Sequence, residues 1–317
     1  MRLSLEQIKS ITSGACRVFE QDGLIHFRRF TEKQLEVWGE NGFSKGITAT
    51  TGIRLDFITN STNFTFKSAQ YEIVGKYEVL VNDQPIYLNR HEADTPAQTF
   101  HLAECDHRIT LYLPSHSEGV LEYVEIDDGA TLEPYKYAHK FMFWGDSLTQ
   151  GWRSANDSLS YAYQVTRYFN AESVILGVGS ARFIPELVDE GHPFKPELIF
   201  VAYGTNDWGK YTNEELKDRC KRFMDNVNRV YPGIPVIGIS PTWRKDLDKE
   251  RLGGPLELLH STLLDNYKAH GAIPVCGLDL IPHDPRYLTD PVHPNNEGFG
   301  YYARNLIPYV EQVLNNK

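Results

Sequence analysis

The chain has 317 residues, 41% hydrophobic and 23% charged, with a formal net charge of -10. That is the make-up of a folded globular protein of one large domain or two ordinary ones, and its acidic balance excludes the lysine/arginine footprint of a nucleic-acid binder. No stretch approaches the roughly 18 apolar residues of a membrane span, and the opening Met-Arg-Leu-Ser-Leu-Glu-Gln lacks the apolar core of a secretory signal, so a cytoplasmic location without a membrane partner is expected.

In chain order, residues 4–9 can form a short opening turn of helix, and no longer helix is expected in the first part. The apolar pattern there has period two: Leu55 and Phe57, Phe64 and Phe66, Ile109, Leu111 and Leu113, and part of 120–126. Turn formers at 60–63, 82–85, 114–119 and 127–129 separate these runs. Short alternating strands at close spacing predict an antiparallel β-sandwich, jelly-roll-like, over 1–136. Asn60 and Asn63 fit the glycosylation acceptor pattern, which has no meaning in a cytoplasmic protein. His91, Glu92 and Asp94 could suggest a metal, but such a trio is more often a solvated loop, and no metal is expected. Cys16, Cys105, Cys220 and Cys276 lack metal-type spacing and read as free thiols.

A polar and aromatic connector at 133–140 marks the change of style, giving a second domain at 137–317. Compact apolar runs at 141–144, 173–178, 198–203, 235–239 and 273–278 suit strands buried on both faces, as in a parallel sheet. Between them lies a helical stripe of Leu216, Cys220, Phe223, Met224, Val227 and Val230, opened by Thr212-Asn-Glu-Glu and closed before Pro232-Gly233. A last helix carries Tyr302, Ala303, Leu306, Val310, Val313 and Leu314 on one face. Strand and helix in alternation predict a doubly wound α/β fold with a five-stranded parallel sheet, whose ligands sit at the carboxyl ends of the strands.

Four segments fall at those ends. Phe143-Trp-Gly-Asp-Ser-Leu-Thr-Gln-Gly151 sets a serine on a sharp turn after the first strand. Gly177-Val-Gly179-Ser180 follows the second, Gly204-Thr-Asn206-Asp207 the third, and Asp290-Pro-Val-His293 the fifth. Alone, Gly-Asp-Ser is usually a turn, and Asp-Xaa-Xaa-His a surface loop or helix cap; their combination with an asparagine after the third strand gives them chemical meaning. Thr149 breaks the Gly-Xaa-Ser-Xaa-Gly frame of an α/β-hydrolase elbow. Arg182 stands where a dinucleotide fingerprint needs its third glycine.

The ordered set resembles the SGNH hydrolases, also called the GDSL esterase/lipase superfamily, over about residues 139–317. The resemblance implies that Ser147 is the nucleophile, His293 the general base and Asp290 the group that orients it. It further implies an oxyanion hole formed by the Ser147 amide, the Gly179 amide and the Asn206 side chain, with Asp207 bracing its loop. In many relatives the glycine of the second block falls one position later, where this chain has Ser180, so the sequence leaves Gly179 or Ser180 as the donor.

A β-sandwich before such a domain resembles family 2 of the carbohydrate esterases and related two-domain bacterial esterases. The resemblance implies a serine esterase that removes O-acetyl groups from xylo- or manno-oligosaccharides without a metal or organic cofactor. Several members of that family lack the aspartate, so Asp290 makes this chain the more complete. Trp152, Trp208 and Trp243 lie near strand-end loops; core packing is the default for each, whereas several at one mouth would suit stacking on sugar rings. The alternatives are a short-chain arylesterase, a lysophospholipase or thioesterase, and a glycan-binding protein with an inert second half. The expected partner is a small-molecule or oligosaccharide acyl ester; the sequence leaves homo-oligomer formation open.

Overall fold

The computed structural model describes residues 1–44, 46–69, 75–91, 95–247 and 249–315. They form two compact units, Met1–Thr31 with Ser44–Tyr137, and Glu32–Phe43 with Ala138–Lys317.

The first unit opens with α1 (Leu5–Ile11), where Ser4 and Gln7 close a reciprocal capping box. Then come β1 (Thr12–Ser13), β2 (Arg17–Gln21) and β3 (Leu24–Arg28), and, in the other unit, α2 (Glu32–Glu40). The first unit continues with β4 (Arg54–Thr59), β5 (Asn63–Ala69), β6 (Gly75–Val81), β7 (Gln84–His91) and β8 (Gln98–His101). It ends with β9 (His107–Tyr112), β10 (Val120–Ile126) and β11 (Glu133–Pro134). Two antiparallel sheets result, β1-β4-β9-β6-β7 with β11 on β4, and β2-β3-β10-β5-β8. The predicted alternation is plainest in β5, where every second residue is buried. Leu55, Phe57, Val79, Ile109 and Leu111 from one sheet meet Phe27, Phe64, Phe66 and Val124 from the other in a single core. This is the predicted β-sandwich.

Helix α2 departs from the sequence reading, which found only strands beyond the opening turn. Two buried apolar residues, Val37 and Trp38, are too few to show a 3.6-residue period. A domain boundary at 136 leaves this segment in the first domain, whereas it packs with the second: Gln34 Nε2 donates to the Leu187 carbonyl at 2.9 Å.

In the second unit, β12 (His139–Gly145) leads into α3 (Ser147–Gln150), followed by α4 (Tyr161–Tyr168), β13 (Ala171–Gly177) and β14 (Leu198–Ala202). The remainder is α5 (Asn213–Val230), β15 (Val236–Ile239), α6 (Leu256–Ala269), β16 (Ile273–Val275) and α7 (Asn296–Asn315). The sheet order is β13-β12-β14-β15-β16, all parallel. The central strands are apolar because helices cover both faces; Phe143 of β12 and Phe200 of β14 stack at 4.3 Å. Thr212 and Glu215 form the capping box that starts α5 where its sequence places it. The fifth strand stops three residues earlier than predicted. A Cβ on Gly277 would sit 2.0 Å from the Ser240 carbonyl oxygen, and this close approach turns the chain away from the sheet into a 3-10 turn.

After β12 the chain crosses to one side for β13 and then to the other for β14. The carboxyl end of β12 is therefore the switch point, where a crevice opens in sheets of this kind.

Candidate active site

Gly145 ends β12 beneath Thr149; a Cβ there would stand 2.0 Å from Thr149 Oγ1, so only glycine lets the turn fold back so tightly. Asp146 caps the short α3, its Oδ1 accepting from the Leu148 amide at 3.0 Å. Burial, reinforced by the nearby Asp207, pushes the Asp146 carboxyl up to about 7. Ser147 is the first residue of α3, so its own amide has no partner within the helix.

Ser147 Oγ lies 2.9 Å from His293 Nε2. On the other side of the ring, His293 Nδ1 lies 3.0 and 2.9 Å from the two oxygens of Asp290. With Nδ1 donating to the carboxylate, Nε2 faces the serine as an acceptor. The Asp290 turn makes this possible: its Oδ1 also accepts the amides of Val292 and His293, both at 2.9 Å. Burial raises the Asp290 carboxyl, but those amides and the imidazole outweigh it and hold it at about 2. Burial lowers the His293 imidazole below its ordinary value, against the pull of Asp290. The ring is therefore neutral, and able to take a proton, at neutral pH.

The second block differs from its sequence assignment. The Gly179 amide donates to Gln150 Oε1 at 2.7 Å, which engages the N–H expected to face an oxyanion. Ser180 has φ +64°, a left-handed conformation that favours glycine, and its amide has no acceptor among the described residues. From the third block, Asn206 Nδ2 donates to the Ala181 carbonyl at 3.0 Å, which ties the two loops together and leaves its second N–H uncommitted by that bond. Asp207 is fully buried, with Oδ1 accepting from the Phe183 amide at 3.1 Å. Burial raises its carboxyl to about 7, and its bond to the Phe183 amide braces the loop.

Comparison with known proteins bears on this geometry. Residues 143–300 match the model of the GDSL-like Lipase/Acylhydrolase family. This is a GDSL-like acylhydrolase domain. The enzyme is accordingly a carboxylic ester hydrolase. No curated protein matches the chain by sequence. Among solved structures it is similar to the salicylyl-acyltransferase SsfX3 from a tetracycline biosynthetic pathway (17% identity, TM-score 0.80, covering 95% of this chain and 94% of that one). It is also similar to a family two carbohydrate esterase from Cellvibrio japonicus (16% identity, TM-score 0.72, 99% and 98% covered). A third is the family two carbohydrate esterase from Clostridium thermocellum in complex with cellohexaose (17% identity, TM-score 0.68, 92% and 99% covered). At these identities the likeness is one of fold.

Of the three candidate tryptophans, Trp208 cannot stack on a sugar. It is 2% exposed, its Nε1 donates to the Gly254 carbonyl at 2.8 Å, and the guanidinium carbons of Arg244 and Arg251 lie 5.6 and 5.2 Å from its ring centre. Trp243 is half-buried and stacks on His283 at 5.8 Å. Trp152 is 37% exposed, with the Arg153 guanidinium carbon 6.0 Å from its ring centre. The four cysteines are free. Glu92 and Asp94 lie outside the described residues, as does the side chain of His91; among the described residues no cluster of three or more His, Cys, Asp or Glu could hold a metal.

Sequence reasoning missed three residues. Gln150 lies three residues after Ser147, at the opposite end of the one-turn α3, a spacing that puts both on one face of the helix. Arg153 reaches Asp290 Oδ2 through Nε at 3.2 Å. Arg244 pairs with Asp246 through Nε at 2.5 Å. No spacing signal marks either arginine, because the loops that carry them are set by tertiary packing.

Proposed function

We propose that this esterase removes O-acetyl groups from carbohydrate through an acyl-enzyme on Ser147. The observation that carries the chemistry is the unbroken relay from Ser147 Oγ through His293 to Asp290, with both hydrogen-bond steps near 2.9 Å. The carbohydrate assignment is supported by neighbours of the same fold that are named carbohydrate esterases.

In the proposed cycle, His293 Nε2 takes the Ser147 proton as Oγ attacks the acetyl carbonyl carbon. Asp290 keeps Nδ1 protonated and stabilises the imidazolium that forms. The oxyanion receives the Ser147 amide, the Ser180 amide and the free N–H of Asn206. Ser180 takes the place of Gly179 because the Gly179 N–H is held by Gln150. The tetrahedral intermediate collapses as His293 returns the proton to the departing sugar oxygen. Water, deprotonated by the same imidazole, then attacks the acyl-serine; acetate leaves and Ser147 regains its proton.

The test is hydrolysis of p-nitrophenyl esters from acetyl to octanoyl, with Ser147→Ala as the blank. Acetate release from acetylated xylo- and manno-oligosaccharides follows. Serine-dependent activity with a steep preference for acetyl is expected; preference for long chains would overturn the substrate assignment in favour of a lipid esterase or thioesterase.

A further inference from the structure

We infer that Arg153 is a positioning residue of the triad, a cation that holds the Asp290 carboxylate and keeps the neighbouring imidazole neutral to lower pH. This rests on the serine-esterase reading above.

The turn that follows α3 folds back on itself. Trp152 N donates to the Ser147 carbonyl at 2.8 Å, and Ser154 donates to the Gly151 carbonyl from both N and Oγ, at 3.1 and 2.8 Å. Within it Arg153 has φ +77°, a left-handed conformation seldom adopted by a residue with a side chain. That backbone aims the guanidinium at the loop carrying the base. Arg153 Nε meets Asp290 Oδ2 at 3.2 Å, and two residues on, the Ala155 amide donates to Asn296 Oδ1 at 2.8 Å. One turn thus grips the His293 loop on both flanks.

The two Asp290 oxygens are not equivalent. Oδ1 accepts two backbone amides, whereas Oδ2 is shared between His293 Nδ1 and Arg153. Arg153 therefore draws on the same oxygen that stabilises the imidazolium. The groups facing His293 are the Ser147 hydroxyl, the Asp290 carboxylate, and the two cations Arg153 and Arg244. Arg244 is buried and paired with Asp246, a carboxylate that Lys249 and Arg251 share, so salt screens it little. The Arg153 side chain is 52% exposed, so its influence is modest and sensitive to salt.

The test is the pH profile of kcat/KM for p-nitrophenyl acetate at low ionic strength, for wild type, Arg153→Met and Arg153→Lys. Removing the cation should move the acidic limb up by roughly half a pH unit, the size expected of an exposed charge pair, and lower kcat several-fold. Lysine, which keeps the charge, should hold the limb at its wild-type position. Raising salt to about 0.5 M should shift the wild-type limb the same way and leave Arg153→Met unmoved, a comparison whose wild-type arm needs no variant to fold. An unmoved limb in Arg153→Met, an equal shift in Met and Lys, or a wild-type limb indifferent to salt would each overturn the inference. A change in KM alone would assign Arg153 to substrate binding instead, against the inference. Full activity in Ser147→Ala would instead break the serine reading on which it stands.

Discussion

Asp290→Asn separates the charge of the triad carboxylate from its structural work. The two backbone amides of Val292 and His293 both bond Oδ1. An asparagine oxygen in that place keeps both bonds, so the loop and the melting temperature should be preserved. The amide nitrogen then replaces Oδ2, which lies 2.9 Å from His293 Nδ1 and 3.2 Å from Arg153 Nε. Both neighbours are donors, and neither can bond an NH2 group. If Oδ1, 3.0 Å from Nδ1, still holds the proton on that nitrogen, the loss is that of one hydrogen bond to a charged group. That is worth about 1.5–3 kcal/mol, or roughly 10- to 150-fold in kcat. If the ring changes tautomer, Nε2 carries the proton, no base faces Ser147, and the loss approaches about 10⁴-fold. The acidic limb should also move to lower pH, because Asp290 raises the His293 pKa and its charge is gone. The assay is kcat/KM for p-nitrophenyl acetate across pH 5–9, with a thermal melt as the folding control. A folded Asp290→Asn within about threefold of wild type at every pH would refute the reasoning, leaving a working serine–histidine pair.

Asn206→Ala should lower kcat by roughly 100- to 1,000-fold with little change in KM, since its second N–H, the one not bonded to Ala181, acts only on developing charge; steady-state kinetics distinguish the two. Ser180→Gly should keep activity and raise the melting temperature slightly by relieving the left-handed backbone at φ +64°. Ser180→Val, β-branched in that conformation, should lose activity and stability together. Asp207→Asn tests the buried carboxyl. Its pKa is raised by burial from 3.8 to about 7, so folding takes up a proton between those values and stability falls as pH rises through that window. The melting temperature of Asp207→Asn relative to wild type should therefore be higher at pH 8 than at pH 5, by roughly several degrees. A pH-independent difference would show that Asp207 ionises freely in the folded state.

Much of this enzyme was legible from local pattern. Strand period and turn chemistry gave the sandwich, because half-buried strands must alternate; buried apolar runs gave the parallel sheet, because helices cover both its faces. Capping pairs such as Thr212 with Glu215 placed helix starts to the residue. The hydrogen-bonded set of Ser147, His293 and Asp290 was readable because each member sits in a short motif at a strand end, and chain order plus sheet topology brings those ends together. What depended on contacts distant in sequence was not legible. Helix α2 has too few apolar residues to show a period, and its place in the catalytic unit is set by contacts such as that of Gln34 with Leu187, 153 residues away. For Trp208 the sequence left core packing, the default, beside a sugar platform, and the structure buries it against Arg244 and Arg251. Gly179 and Ser180 could not be told apart in sequence, since the choice depends on where the Gln150 side chain ends. Sequence by itself determined the chemistry available, because residue identity fixes which groups can donate, accept or attack. Only the tertiary structure decided which N–H remained unbonded and which cation reached the triad, because hydrogen bonds act over about 3 Å and that proximity is created by folding.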